Sequence, residues 1–196
     1  MTLSKKYVVA FNASPRKDGN TATLIRYALN KIEEQGIRTE LVHIGGKQIH
    51  GCIACMKCFE NQDRHCALAK DLVNDCIDRM VEADGIIIGS PTYFSDITPE
   101  AKALIDRAGF VAIANGGLFS RKVGAGIAAV RRAGAVAALD SINHLFGICD
   151  MFTAGSTYWN LGIGFEPGDV EKDAEGIKTM ERLGENMAWF ITRVQD

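Results

Sequence analysis

Short apolar runs of strand length, each followed by a longer stretch of helical periodicity, narrow what this chain of 196 residues can fold into. Tyr7-Val-Val-Ala-Phe11 is the first such run, and the breakers Pro15 and Gly19 end it. Residues 21–35 place Leu24, Ile25, Ala28, Leu29 and Ile32 on one helical face, and Gly36 stops the helix. Residues 37–44 alternate as a half-buried strand, and 71–82 read as a helix with Leu72, Val73, Cys76, Ile77 and Met80 inward. Asp84-Gly-Ile-Ile-Ile-Gly89 is continuously apolar, as strands buried on both faces of a parallel sheet are. A further helix begins near Thr98, with Pro99 suited to its first position and Glu100 to its first turn. Residues 122–130 form a fourth strand, 134–149 an alanine-rich helix, 151–154 a fifth strand and 170–194 a closing helix. The expectation is an α/β fold: an open five-stranded parallel sheet, order 2-1-3-4-5, with helices on both faces. Residues 155–169 are too long for a simple connection, which marks them as a candidate functional segment.

The bulk properties exclude several classes. At 196 residues the chain suits one domain spanning 1–196, with a cysteine-rich loop at about 45–67. A net charge of −2 and a pI near 6.1 argue against nucleic-acid binding through phosphate electrostatics. No apolar run reaches the ~18–20 residues of a membrane helix. The start, MTLSKKYVVAFNAS, is too short and polar for a secretory signal, so a cytoplasmic location is expected. In a reducing compartment, clustered cysteines serve as ligands or redox groups more often than as staples.

Two segments carry chemistry. In an open α/β sheet the ligand crevice lies beyond the carboxyl ends of the strands. Ser14-Pro-Arg-Lys-Asp-Gly-Asn-Thr21 sits there, between the first strand and a helix start. Backbone N–H groups, the Ser14 and Thr21 hydroxyls and the Arg16 charge suit a phosphate monoester. The loop matches neither the triphosphatase nor the dinucleotide glycine pattern. Gly124-Ala-Gly126-Ile-Ala-Ala129 does fit G-x-G-x-x-A, but its glycines fall inside a strand-like run, where they permit close packing.

The second segment is GCIACMKCFENQDRHC, with Cys52, Cys55, Cys58 and Cys66 spaced C-x2-C-x2-C-x7-C. Three thiols at i, i+3 and i+6 with a fourth from a short loop suit a [4Fe–4S] cluster, although no proline follows Cys66. Structural zinc usually takes two separated C-x2-C pairs. A Cys52/Cys55 redox pair and inert loop thiols are the other readings, and spacing leaves all four open. Cys76 and Cys149 lie on apolar helix faces, as core cysteines do. The histidines show no ligand spacing, and no catalytic residue is assigned, since hydride and electron transfer need no protein nucleophile.

SPRKDGNT after the first strand, GSPTYF after the third, ITPEAKALIDR opening the next helix and EGIKTMERLGENMAW near the end together resemble the NADPH-dependent FMN reductase and iron–sulfur flavoprotein family. The resemblance spans nearly the whole chain and implies a flavodoxin-like fold and a flavin-dependent oxidoreductase. It implies that Ser14, Arg16, Asn20 and Thr21 bind the FMN phosphate, with Ala22 contributing backbone. Pro91, Thr92, Tyr93 and Phe94 match the segment that lines the isoalloxazine, and Arg131 to Gly134 the loop at its pyrimidine side. Cys52, Cys55, Cys58 and Cys66 match the cluster motif of the iron–sulfur flavoproteins, so FMN and a [4Fe–4S] cluster are the expected cofactors, with NAD(P)H as a donor. The rival readings are a cluster-free NAD(P)H-dependent FMN or quinone reductase and a non-catalytic redox sensor. A ferredoxin-like carrier or a quinone is the expected partner, in a homodimer or homotetramer. Asp106-Arg107 is expected to serve packing or a salt bridge, and Tyr158 and Trp159 to cover the flavin or pack between subunits.

Overall fold

A computed structural model describes residues 6–194; residues 1–5, which open the N-terminal segment read above against a secretory signal, lie outside it. Strand β1 (Tyr7–Asn12) is buried along its whole length and pairs in parallel with β2 (Arg38–His43) and β3 (Gly85–Pro91). Strand β4 (Val123–Val130) lies on the far side of β3 and is also wholly buried. The order is β2-β1-β3-β4-β5, as expected.

The fifth position differs from the sequence reading. It is filled in two pieces, β5 (Phe152–Thr153) against Val123 and Gly124, and β6 (Leu161–Ile163) against Ala128, Ala129 and Val130. The sheet therefore has six strands. The excursion between the pieces is closed by Asn160, whose side-chain oxygen accepts from Ser156 Oγ at 2.7 Å and whose carbonyl accepts from Ala128 N–H at 2.9 Å.

Helices α1 (Asn20–Glu33) and α6 (Ala174–Val194) cover one face, packing Leu24, Ile25, Met180 and Met187 on Val8, Ala10, Ile87 and Ile127. On the other face α3 (Val73–Glu82), α4 (Pro99–Ala114) and α5 (Ala135–Ile148) cover Val9, Phe11, Ile86 and Ile88. The short α2 (Lys57–Asn61), not foreseen, lies in the cysteine loop. The last helix starts later than read from sequence. A 3-10 turn (Asp169–Lys172) precedes it, and Asp173 caps α6 through Gly176 N–H at 3.0 Å while accepting from Ile163 N–H at 2.7 Å.

Gly124 and Gly126 sit on the α5 side of β4. A methyl on Gly124 would stand 2.7 Å from the Phe146 ring. These glycines seat α5 on the sheet, which accounts for the G-x-G-x-x-A match without a dinucleotide. Cys76 and Cys149 are buried, as expected.

Candidate functional site

The loop after β1 is built by Asn12. Its Oδ1 accepts from Ser14 N–H at 3.0 Å and its Nδ2 donates to the Lys17 carbonyl at 2.9 Å, an Asx-type clamp that turns the chain at once. Ser14 Oγ then accepts from Arg16 N–H at 3.2 Å, and Gly19 N–H closes on the Arg16 carbonyl at 3.1 Å. From behind, Thr98 Oγ1 donates to the Ala13 carbonyl at 3.0 Å, and His43 Nε2 lies 2.9 Å from the Ser14 carbonyl oxygen. Gly45 packs its backbone so closely that a methyl there would stand 2.1 Å from that same oxygen.

Gly19 stands at the N-cap of α1 and offers no side-chain cap. The first N–H groups of the helix, at Asn20, Thr21 and Ala22, therefore lack the intrahelical acceptors that later residues have. With the Ser14 hydroxyl and the Arg16 guanidinium alongside, this is a donor set for an anion.

One cavity joins these donors to the ends of β3 and β4. Ser14, Arg16, Asn20 and Thr21 line one side, Pro91, Thr92 and Tyr93 another, with Ala129 and Arg131 completing the wall. Gly164 and Phe165, just beyond β6, close it. The sequence reading missed that last pair, although the length of segment 155–169 had marked it. Arg16 Nη1 donates to the Phe165 carbonyl at 3.4 Å, and the Arg131 guanidinium lies 4.6 Å from the Phe165 ring centre. Asn20 ties the same segment down, donating to the Glu166 carbonyl at 3.0 Å and accepting from Gly168 N–H at 2.9 Å. Its side chain is thus a strut, and its backbone N–H is what it can offer a ligand.

Three expected residues lie apart from the cavity wall. Ala22 is buried within the first turn of α1. Phe94 occupies the tip of a tight turn in which Tyr93 and Asp96 exchange backbone hydrogen bonds of 2.8 and 3.0 Å. Phe94 and Ser95 have φ of 48° and 62°, and the Phe94 side chain is fully in solvent at 107% relative exposure. Gly134, with φ of 91°, seats that turn: a methyl on it would stand 2.8 Å from Ser95 Oγ. Thr92 Oγ1 is buried with no hydrogen-bond partner, the only such side-chain atom among the described residues. An orphaned hydroxyl on a cavity wall fits a polar ligand edge beside it.

The cysteine loop leaves β2 at Gly45 and brings all four thiols to one pocket. Cys52, Cys55, Cys58 and Cys66 line it with Met56, Arg107, Phe110 and Val111. All six cysteines of the chain are free. Ala54, Met56, Gln62 and Arg64 have positive φ, so the loop is wound tightly around α2. It is pinned to α4 by Gln62 Nε2 on the Ala114 carbonyl at 3.1 Å and by Arg64 N–H on Asn115 Oδ1 at 3.0 Å. Asn74 pairs with both backbone groups of Cys66 at 2.8 and 3.0 Å. Burial pushes the Cys58 thiol up from its ordinary pKa. Among the described residues no three His, Cys, Asp or Glu side chains converge to hold one metal ion. Four thiols lining one pocket are a donor set that fits a thiolate-held centre.

The family signature of NADPH-dependent FMN reductases matches residues 7–166. The chain belongs to that family. This FMN reductase family member is 37% identical to an iron–sulfur flavoprotein of Methanocaldococcus jannaschii over 96% of its own length and 98% of the relative's. An iron–sulfur flavoprotein of Methanosarcina thermophila is 28% identical, with 96% of each chain covered. Among solved structures, a WrbA-like flavodoxin from Agrobacterium tumefaciens superposes with a TM-score of 0.68 at 16% identity, covering 97% of this chain and 99% of that one, which shows the shared fold. The family member is a flavin-dependent oxidoreductase. No helix among its described residues is long and apolar enough to cross a membrane.

Proposed function

We propose that this reductase is an iron–sulfur flavoprotein, holding FMN in the cavity between Ser14 and Phe165 and a [4Fe–4S] cluster on Cys52, Cys55, Cys58 and Cys66. The observation that carries the reading is that four free thiols, fourteen positions apart at most, line one pocket on the same chain as an uncapped anion-binding helix start. When bound, FMN supplies two-electron chemistry and the cluster one-electron steps, so the pair can couple hydride donors to single-electron carriers.

The chain's part is binding and orientation. The N–H groups of Asn20, Thr21 and Ala22, with the Ser14 hydroxyl and Arg16, hold the phosphate. Tyr93 and Pro91 supply a flat apolar wall, and Thr92 Oγ1 a polar contact. Arg131, held by the Phe165 ring, would offer positive charge to a flavin that gains negative charge on reduction. Phe94, in solvent beside the cavity, and the apolar strip of Phe110, Ile113 and Ile148 would be covered by a second copy, as a homodimer or homotetramer, or by a carrier. NAD(P)H as donor, a ferredoxin-like protein or a quinone as acceptor, and a cytoplasmic setting complete the reading.

Anaerobic isolation with FMN, iron and sulfide analysis tests it. The expected result is one FMN and about four irons and four sulfides per chain, the stoichiometry of the cluster named. FMN without iron, together with NAD(P)H oxidation by quinones, would instead establish the cluster-free reductase. Flavin without turnover would establish the sensor.

A further inference from the structure

Arg107 belongs to α4, but its guanidinium is spent on the cysteine loop. The side chain has no solvent exposure. Nε donates to Cys66 Sγ at 3.2 Å. Nη1 donates to the His50 carbonyl at 3.1 Å and to Asp71 Oδ2 at 2.5 Å, and Nη2 donates to the Leu68 carbonyl. One side chain thus joins the residue two places before the first cysteine to the stretch after the last. Asp71, whose own side chain is 10% exposed, is oriented by the N–H groups of His50 at 3.1 Å and Val73 at 3.2 Å. A surface arginine that merely solubilised α4 would do none of this. A packing role alone would not aim the fork at a sulfur.

We propose that Arg107 is a positioning residue of the cysteine centre. It clasps the loop from His50 to Asp71 and holds a buried positive charge against the Cys66 sulfur, with Asp71 setting how much of that charge the centre feels. The second half rests on the cluster reading above. A lysine could carry the charge but lacks the planar fork that spans the three backbone and side-chain acceptors and the sulfur together. Hydrogen bonds to ligand sulfurs and local net charge are levers on the reduction potential of a thiolate-held cluster. Positive charge favours the reduced, more negative state.

The test uses two preparations of the full chain. In cluster-free protein, limited proteolysis between residues 50 and 71 reads the clasp. Arg107→Gln is expected to speed cleavage at least about tenfold, the size of a single charge-assisted hydrogen bond among the four it loses, and Arg107→Lys to speed it nearly as much. In reconstituted protein, spectroelectrochemistry reads the charge. Arg107→Gln is expected to lower the cluster potential, Asp71→Asn to raise it, and the double variant to return it toward the wild type. Arg107→Lys stays near the wild-type potential although its loop is loosened. FMN binding, read on every variant, establishes that each has folded. The double variant leaves neither buried charge unpaired, so a misfolded single variant does not end the test. A purely structural clasp would move all potentials the same way or not at all, and that result overturns the proposal, as does unchanged cleavage in Arg107→Gln. Wild-type protein that assembles no iron would overturn the cluster reading and the charge-tuning half together, and iron analysis separates that failure from a failed clasp.

Discussion

At the scale of single residues, the hydroxyl of Thr92 is the clearest liability in the fold. It is buried and unpartnered on the wall of the cavity proposed to hold the flavin. Such a group costs about 1–3 kcal/mol until something bonds it. Thr92→Val is therefore expected to raise the stability of the FMN-free protein by about 1 kcal/mol in urea unfolding. In a fluorescence titration the same change should weaken FMN binding roughly tenfold. Higher stability with unchanged affinity would place the hydroxyl outside the flavin's contacts. Much of this cavity was legible beforehand. Ser14, Arg16, Thr21, Tyr93 and Arg131 are residue types that announce a phosphate and a ring, in loops that a parallel sheet must place together. What stayed hidden were the supports. Asn12, His43 and Thr98 act through backbone carbonyls, and nothing in a linear spacing shows which carbonyl a distant side chain will meet. Phe94 was legible as an aromatic but not in its direction, since the turn geometry that sends it to solvent depends on Gly134 being underneath.

Among elements, α1 and α6 lie in a close contact that no sequence pattern revealed. Gly184 lets α6 lie against α1 so closely that a methyl would stand 2.2 Å from the Ala28 carbonyl oxygen and 2.8 Å from Lys31 Cβ. On an isolated helix, alanine in place of glycine would stabilise by about 1 kcal/mol. Here Gly184→Ala is expected to destabilise by about 1–3 kcal/mol, because backbone must move. Chemical denaturation checks the sign, and a gain in stability would mean the helices can part without penalty. The split fifth strand follows from similar constraints. Gly155 to Asn160 leave the sheet between two short pairings with β4, and the excursion is held by side-chain bonds within it. Strand-length runs show where pairing is possible, not where it will be interrupted.

For the whole molecule, stability depends on pH through groups that knit its layers. Tyr7 of β1 donates to Glu40 of β2 at 2.6 Å, and Arg79 of α3 donates to the same carboxylate at 2.9 Å. Burial, then the bond to Glu40, hold the Tyr7 phenol well above its ordinary pKa. For an acid whose folded pKa is raised, the stabilisation is complete below the unfolded value and lost as pH rises past it. For tyrosine that loss begins at about pH 10. Tyr7→Phe should be less stable than the wild type by about 1 kcal/mol at pH 7, with the gap closing above about pH 10. Urea midpoints measured across that range test it, and a gap that stays constant would remove Tyr7 from the alkaline limb. Ligand linkage acts on the same scale. Free FMN at one hundred times its dissociation constant should add about 2.7 kcal/mol to the unfolding free energy. A melting temperature indifferent to FMN would contradict the cavity's assignment.

The chain's order of apolar runs and helical stretches settled the layered parallel sheet, because only buried strands read as unbroken aliphatic runs and only crossovers of helical length can join them. It also placed a loop bearing Ser14, Arg16 and Thr21 after the first strand, and clustered four thiols within fifteen residues. Tertiary structure decided what those parts face. Arg107 became the anchor of the cysteine loop only when α4 was laid beside it, and Phe165 a cavity wall only when β6 completed the sheet. Both outcomes hinge on distance in space between residues far apart in sequence, which hydrophobic period and local turn chemistry do not encode.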